Sequence, residues 1–164
     1  MDKLIGVILV VVFGGAGLIA IIMIVNLLLP APVRRTRLAL EASLGRSLLL
    51  GIVNFLFAGV LVALLLWPTR IGGAVAGIFV FLAGLAALAA AALILLGLAA
   101  LTGLLEERMG KTKSSAPPQL RGGLLILLAC LTPYFGWFVI TPLLLWTAMG
   151  AAVAALFRRN DKAA

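Results

Sequence analysis

The stretch GGLLILLACLTPYFGWFVITPLLLWTAMGAAVAALF, residues 122–157, runs for 36 residues without a charge and contains Pro133, Gly136 and Pro142. As a single helix it would be ~54 Å long, whereas the hydrocarbon core of a bilayer is ~30 Å thick. Either it crosses once with a large excess or it turns back on itself. That choice fixes the topology of the rest of the chain.

Working outward, the remainder is equally apolar. Of 164 residues, 65% are hydrophobic and 11% charged, with a mean hydropathy of +1.29. Soluble domains are about half apolar and a quarter charged, so this surplus surface belongs against lipid. The net charge of +8 would suggest nucleic acid in a soluble protein. Here the basic residues fall in short clusters between apolar runs, the pattern of loops at anionic headgroups. The expected partner is therefore a bilayer with anionic headgroups, together with other membrane proteins or a second copy, and no nucleic acid.

Three further runs precede the last one. Residues 4–29 are long enough to span and read as a retained helix rather than a cleaved signal. Within them Gly15-Ala16-Gly17-Leu18-Ile19-Ala20 matches a dinucleotide-binding glycine pattern. That pattern needs an acidic ribose ligand about twenty residues on, and the chain offers Arg34, Arg35 and Arg37 instead. A small-residue packing face is the better reading. Pro30 and Pro32 then end the helix. Residues 33–46 carry Arg34, Arg35, Arg37 and Arg46, which are expected to meet lipid headgroups. A short surface helix and a plain loop are equally good readings of that segment.

The second span covers residues 47–67, closing on Trp67 at an interface. Asn54 lies inside it and is expected to hydrogen-bond to a neighbouring helix. The third run, residues 71–105, has no proline and reads as one long tilted helix from about residue 72. Gly73, Gly77, Ala83, Ala87 and Ala91 recur along it at helical spacing and are expected to form a packing stripe; a homodimer face is the rival use. Residues 106–121 are the only sustained polar segment, a loop too short for a domain.

Positive charge decides the orientation. Placing the first connection inside puts the N-terminus outside and brings Arg108, Lys111, Lys113 and Arg121 back inside. If the last run crosses once, 8 basic residues lie inside and 5 outside; if it folds as a hairpin, 11 lie inside and 2 outside. The hairpin is preferred over the alternative of four simple spans. Its arms are residues 122–132 and 143–157, its turn contains Pro133, Tyr134, Gly136, Trp137 and Pro142, and Tyr134 and Trp137 anchor it near the outer interface. Because each arm is short, the turn is expected to be buried in protein. The expected fold is thus an all-α polytopic membrane helix bundle, one domain over residues 1–164, with three spanning helices and a C-terminal helical hairpin.

Catalytic chemistry is scarce. There is no histidine, and the single cysteine, Cys130, excludes an intrachain disulfide and reads as a small buried hydrophobe. All five acidic residues lie in loops or tails, so no intramembrane proton relay is expected. No catalytic, cofactor-binding or metal-ligating residue is expected, and the chain is read as a non-enzyme.

Gly45-Arg46-Ser47, opening the second span, and Pro133-Tyr134-Phe135-Gly136, between two apolar arms with a basic end, carry a family likeness. Over roughly residues 44–159 the chain resembles the membrane region that follows β-helical repeats in some bacterial bactofilin-like, polymer-forming proteins. It lacks the β-helical domain itself. The resemblance implies a hairpin and a bacterial inner membrane, and no activity. The leading functional expectation is a non-catalytic scaffold, anchor or accessory subunit. The alternatives are a small transporter or channel for a neutral or lipid-like solute, and a subunit of a photosynthetic or respiratory complex.

Overall fold

A computed structural model describes residues 2–109 and 118–157. The centre of the expected polar loop, with Lys111 and Lys113, and the tail bearing Arg158, Arg159 and Lys162 lie outside the described residues. The elements are all helical: α1 (Asp2–Leu28), α2 (Pro30–Ala42), α3 (Leu44–Leu66), a 3-10 turn (Trp67–Ile71), α4 (Gly73–Met109), α5 (Pro118–Leu131), a π-helical turn (Gly136–Ile140) and α6 (Thr141–Phe157). Among the described residues, four segments are long and apolar enough to cross a membrane: Leu9–Leu28, Leu44–Thr69, Val75–Arg108 and Gly136–Phe157. The protein is an all-α integral membrane bundle, as its composition predicts.

Local chemistry sets the breaks. Pro30 and Pro32 cannot donate backbone hydrogen bonds, so α1 stops and α2 starts with proline in its first turn, with only Leu29 between them. Ser43 caps α3, its hydroxyl accepting from the Arg46 N–H at 3.2 Å. Between α3 and α4, Gly72 takes a positive φ of 78°, open to glycine at no steric cost. α4 runs unbroken, as the absence of proline predicts.

The last run does fold back. Gly122 near the start of α5 lies against Thr102 towards the end of α4, and Gly123 meets Ile19. Ala148 in α6 lies against Gly97, and Gly150 against Ser47 at the start of α3. Both arms therefore begin and end beside the same end of the bundle. Yet α5 and α6 make almost no contact with each other along their lengths, while each packs on α4. The hairpin straddles α4 instead of closing on itself. α1 packs against both α4 and α5, and α3 against both α6 and α4.

Three details correct the sequence reading. First, the second arm starts at Gly136 rather than 143, because the π-helical turn leads straight into α6. Pro142 is therefore the second residue of a helix and not part of the turn. A widened turn ahead of it relieves the clash a proline ring makes with the preceding turn, and the Thr141 N–H and hydroxyl both reach the Gly136 carbonyl. Second, the turn is not buried in protein: Thr132, Pro133, Tyr134 and Phe135 are all exposed. Three of its donors bond internally, which reduces its need for cover. Phe135 N–H donates to Pro133 and Gly136 N–H to Thr132, each at 2.8 Å, and Phe138 N–H to Tyr134 at 3.0 Å. Third, of the two open readings for residues 33–46, the helix holds over Pro30–Ala42.

Candidate functional site

The packed region lies at one end of the bundle. Its core joins Ile22 of α1, Val33 and Leu40 of α2, Leu98, Ala99, Ala100, Leu101 and Leu104 of α4, Ile126 of α5, and Ala148 and Ala151 of α6. α2 is the strap across it. Val33, Thr36 and Leu40 recur at three- and four-residue spacing, which places them on one helical face, and with Ala39 they are buried while Arg34, Arg35 and Leu38 face out. Thr36 is tolerated on that face because its hydroxyl donates to the Pro32 carbonyl one turn back, at 3.1 Å. Ser47 and Thr102, also buried, donate likewise to Ser43 and Ala99 of their own chain segments, at 3.1 and 2.8 Å.

Glycine allows the helices to meet this closely. A Cβ added at Gly51 would fall on the Trp146 carbonyl, one at Gly150 on the Ser47 carbonyl, and one at Gly97 on the Ala148 carbonyl. At Gly122 it would lie 2.5 Å from the Thr102 carbonyl oxygen. In lipid, where there is no hydrophobic drive between helices, such backbone contact supplies the dispersion energy that holds a bundle together. None of these four glycines is in the stripe singled out from sequence.

In that stripe, Ala83 is buried, but Gly77, Ala87 and Ala91 are open; the surroundings of Gly73 lie outside the described residues. Gly84, beside them, also has nothing within 4 Å of an added Cβ, as do Gly14 and Gly17 in α1 and Gly59 in α3. Gly51, Gly97, Gly122 and Gly150 are thus pressed on backbone near the packed end, while Gly14, Gly17, Gly59, Gly77 and Gly84 are open; Gly45, near the packed end, is open as well, and Gly136 at the hairpin tip is pressed. A signal for one of the packed set was present in Ser47-x-x-x-Gly51, two small residues one turn apart. Asn54, expected to bond across to a neighbour, instead donates from its amide to Leu50 of its own helix at 2.8 Å. A carbonyl one turn back is always within its reach.

Most of the charged residues gather at the packed end, Asp2, Lys3 and Arg70 lying elsewhere. Arg34, Arg35 and Arg46 are exposed there, free of cover by the bundle. Arg37 differs. It lies over Gly103, with the guanidinium 3.3 Å from where a Cβ would sit, and pairs with Glu41 at 3.2 Å and with Glu107 of α4. It ties α2 to α4, whereas Arg34 and Arg35 stand exposed. With Glu107 well exposed, the tie contributes about 1 kcal/mol or less. Among the described residues no cluster of carboxylates or cysteine is grouped to hold a metal ion.

At the other pole, Pro133 and Tyr134 make the hairpin turn, and Gly136 and Trp137 open the π-helical turn. Tyr134 sits at φ 61°, a left-handed conformation that costs a non-glycine residue about 1–3 kcal/mol. Gly136 is required by close approach: a Cβ there would lie 2.6 Å from the carbonyls of Ala129 and Cys130. No protein family, curated protein or solved structure matches the chain.

Proposed function

We propose that the protein is a non-catalytic scaffold, anchor or accessory subunit of a membrane complex. The observation that carries this reading is the split between packed and open glycines. A glycine inside a helix costs about 1 kcal/mol relative to alanine, which the packed set recovers through contact. Gly77 and Gly84 of α4, with Ala87 and Ala91, recover nothing within the monomer. A small-residue face left open on an apolar helix suits close approach by another transmembrane helix. The buried hydroxyls are bonded to their own helices, which favours a packing role over a polar conduction path. Purified in mild detergent by an affinity tag, the protein is expected to bring down a stoichiometric membrane partner or a second copy. Recovery as a lone monomer, with solute flux in liposomes, would replace this reading with the transporter.

The proposed setting is a bacterial inner membrane, with the N-terminus outside and the packed, basic end in the cytoplasm. Arg34, Arg35 and Arg46 there engage anionic headgroups, each contributing about 1 kcal/mol near the surface. The likeness to the membrane region of bactofilin-like proteins agrees with this setting, and the positive-inside rule orients it. A C-terminal alkaline phosphatase fusion is expected to be inactive, and a fluorescent-protein fusion at the same site bright. Strong phosphatase activity would invert the orientation.

A further inference from the structure

The hairpin tip presents four aromatic rings in five residues: Tyr134 is 81% exposed, Phe135 60%, Trp137 67% and Phe138 75%. No charge lies within residues 122–157 to hold this tip in water. Three of its turn donors, the N–H groups of Phe135, Gly136 and Phe138, are bonded internally, which reduces the backbone's need for protein cover at the membrane boundary. Tyrosine and tryptophan favour that boundary, where the ring is in apolar surroundings and the O–H or N–H reaches water.

The two arms share one tip, where Gly136 lies against the Ala129 and Cys130 carbonyls, but they differ in length. Gly136–Phe157, 22 residues, measures ~33 Å if helical throughout, about the thickness of the hydrocarbon core. α5, 14 residues, measures only ~21 Å. Both arms start from the packed basic end, so the short arm holds the tip below the height that the long arm allows. A hydrophobic segment shorter than the bilayer is accommodated by thinning it.

We propose that the Tyr134–Trp137–Phe138 tip docks in the headgroup–acyl boundary of the leaflet opposite the basic end, and draws that leaflet inward beside α5. The ligand is the lipid interface itself. The protein then spans a bilayer of unequal thickness, thin beside α5 and full beside the much longer α4.

Trp137 reports its own depth once Trp67→Phe and Trp146→Phe leave it the only tryptophan. The full-length variant is reconstituted in phosphatidylcholine vesicles of short, medium and long acyl chains. Lipids brominated near the headgroup or near the chain terminus serve as quenchers. A variant retaining only Trp67, at the far end of α3, provides the interfacial reference. The shallow quencher is expected to dominate for Trp137 at every chain length, with a shallow-to-deep ratio within about twofold of that for Trp67. Dominance by the deep quencher, at any chain length or only in thick bilayers, overturns the proposal. Tyr134→Cys in a Cys130→Ala background, carrying a nitroxide, gives the same depth without replacing tryptophan. Greater collision with a water-soluble nickel complex than with oxygen supports the docked tip, and the reverse overturns it.

Discussion

Gly51→Ala is expected to destabilise the bundle by about 3 kcal/mol, the upper end of the range for overpacking a close-packed site. The new methyl group would fall on the backbone carbonyl of Trp146, not on a side chain able to rotate away. The only relief is to push α6 off α3, which loses dispersion contact along the whole seam. Gly150→Ala meets the Ser47 carbonyl and the Gly51 backbone from the opposite side and should cost a similar amount. The two share one contact, so the double variant should cost less than the sum. Gly59→Ala and Gly84→Ala provide the contrast: nothing lies within 4 Å of either added carbon, and better helix propensity should leave the protein unchanged or stabilise it by up to about 1 kcal/mol. Titration from mild detergent into SDS, followed by circular dichroism, measures all four. Equal midpoints for Gly51→Ala and Gly59→Ala would mean that α3 and α6 do not approach as described.

That contrast also marks the limit of what the chain reveals on reading. Run lengths and prolines determine the long apolar helices, the unbroken α4 and the fold-back of the last run, because each follows from local rules on length and backbone donors. Gly51 and Gly84 look alike in sequence, each a glycine in a leucine- and alanine-rich span. Only the pairing of helices separates them, and pairing is a long-range property that lipid-facing sequences record weakly. The straddling of α4 was hidden for the same reason: a hairpin is read as two arms in contact, and nothing local says that a third helix lies between them. α2 was half legible. A surface helix is one of two equal readings of residues 33–46, but its buried face runs Val33–Thr36–Leu40, and Thr36 disguises it. The hydroxyl is neutralised by Pro32 one turn back, so a polar letter occupies an apolar position. Pro142 misled in the opposite way, since a proline within the first turn of a helix ends nothing.

Leu40→Ala tests whether α2 is a docked strap or an independent surface helix. Leu40 is 0% exposed and lies in the core cluster with Leu98, Leu101 and Ala148. Removing its branched end should cost about 2–5 kcal/mol, as for other buried leucines. α4, α5 and α6 keep their own contacts at Gly97 and Gly122, so the loss should appear as local opening of α2 rather than collapse of the bundle. A cysteine at position 36, in a Cys130→Ala background, reports the opening, since Thr36 is also 0% exposed. Its modification by a water-soluble maleimide should quicken by at least about tenfold when Leu40→Ala is added, the equivalent of 1.4 kcal/mol in the opening equilibrium. Leu38→Ala, on the outward face, should leave the rate within about twofold. Overall helicity should persist in both, because a released α2 has Arg34, Arg35 and Leu38 exposed, side chains that in the proposed bilayer setting would keep an amphipathic helix folded on the membrane surface. The Arg37–Glu107 tie cannot hold the strap alone, being worth about a quarter of the leucine's contribution. Equal labelling rates for Leu40→Ala and Leu38→Ala would mean that α2 rests on lipid and not on the core.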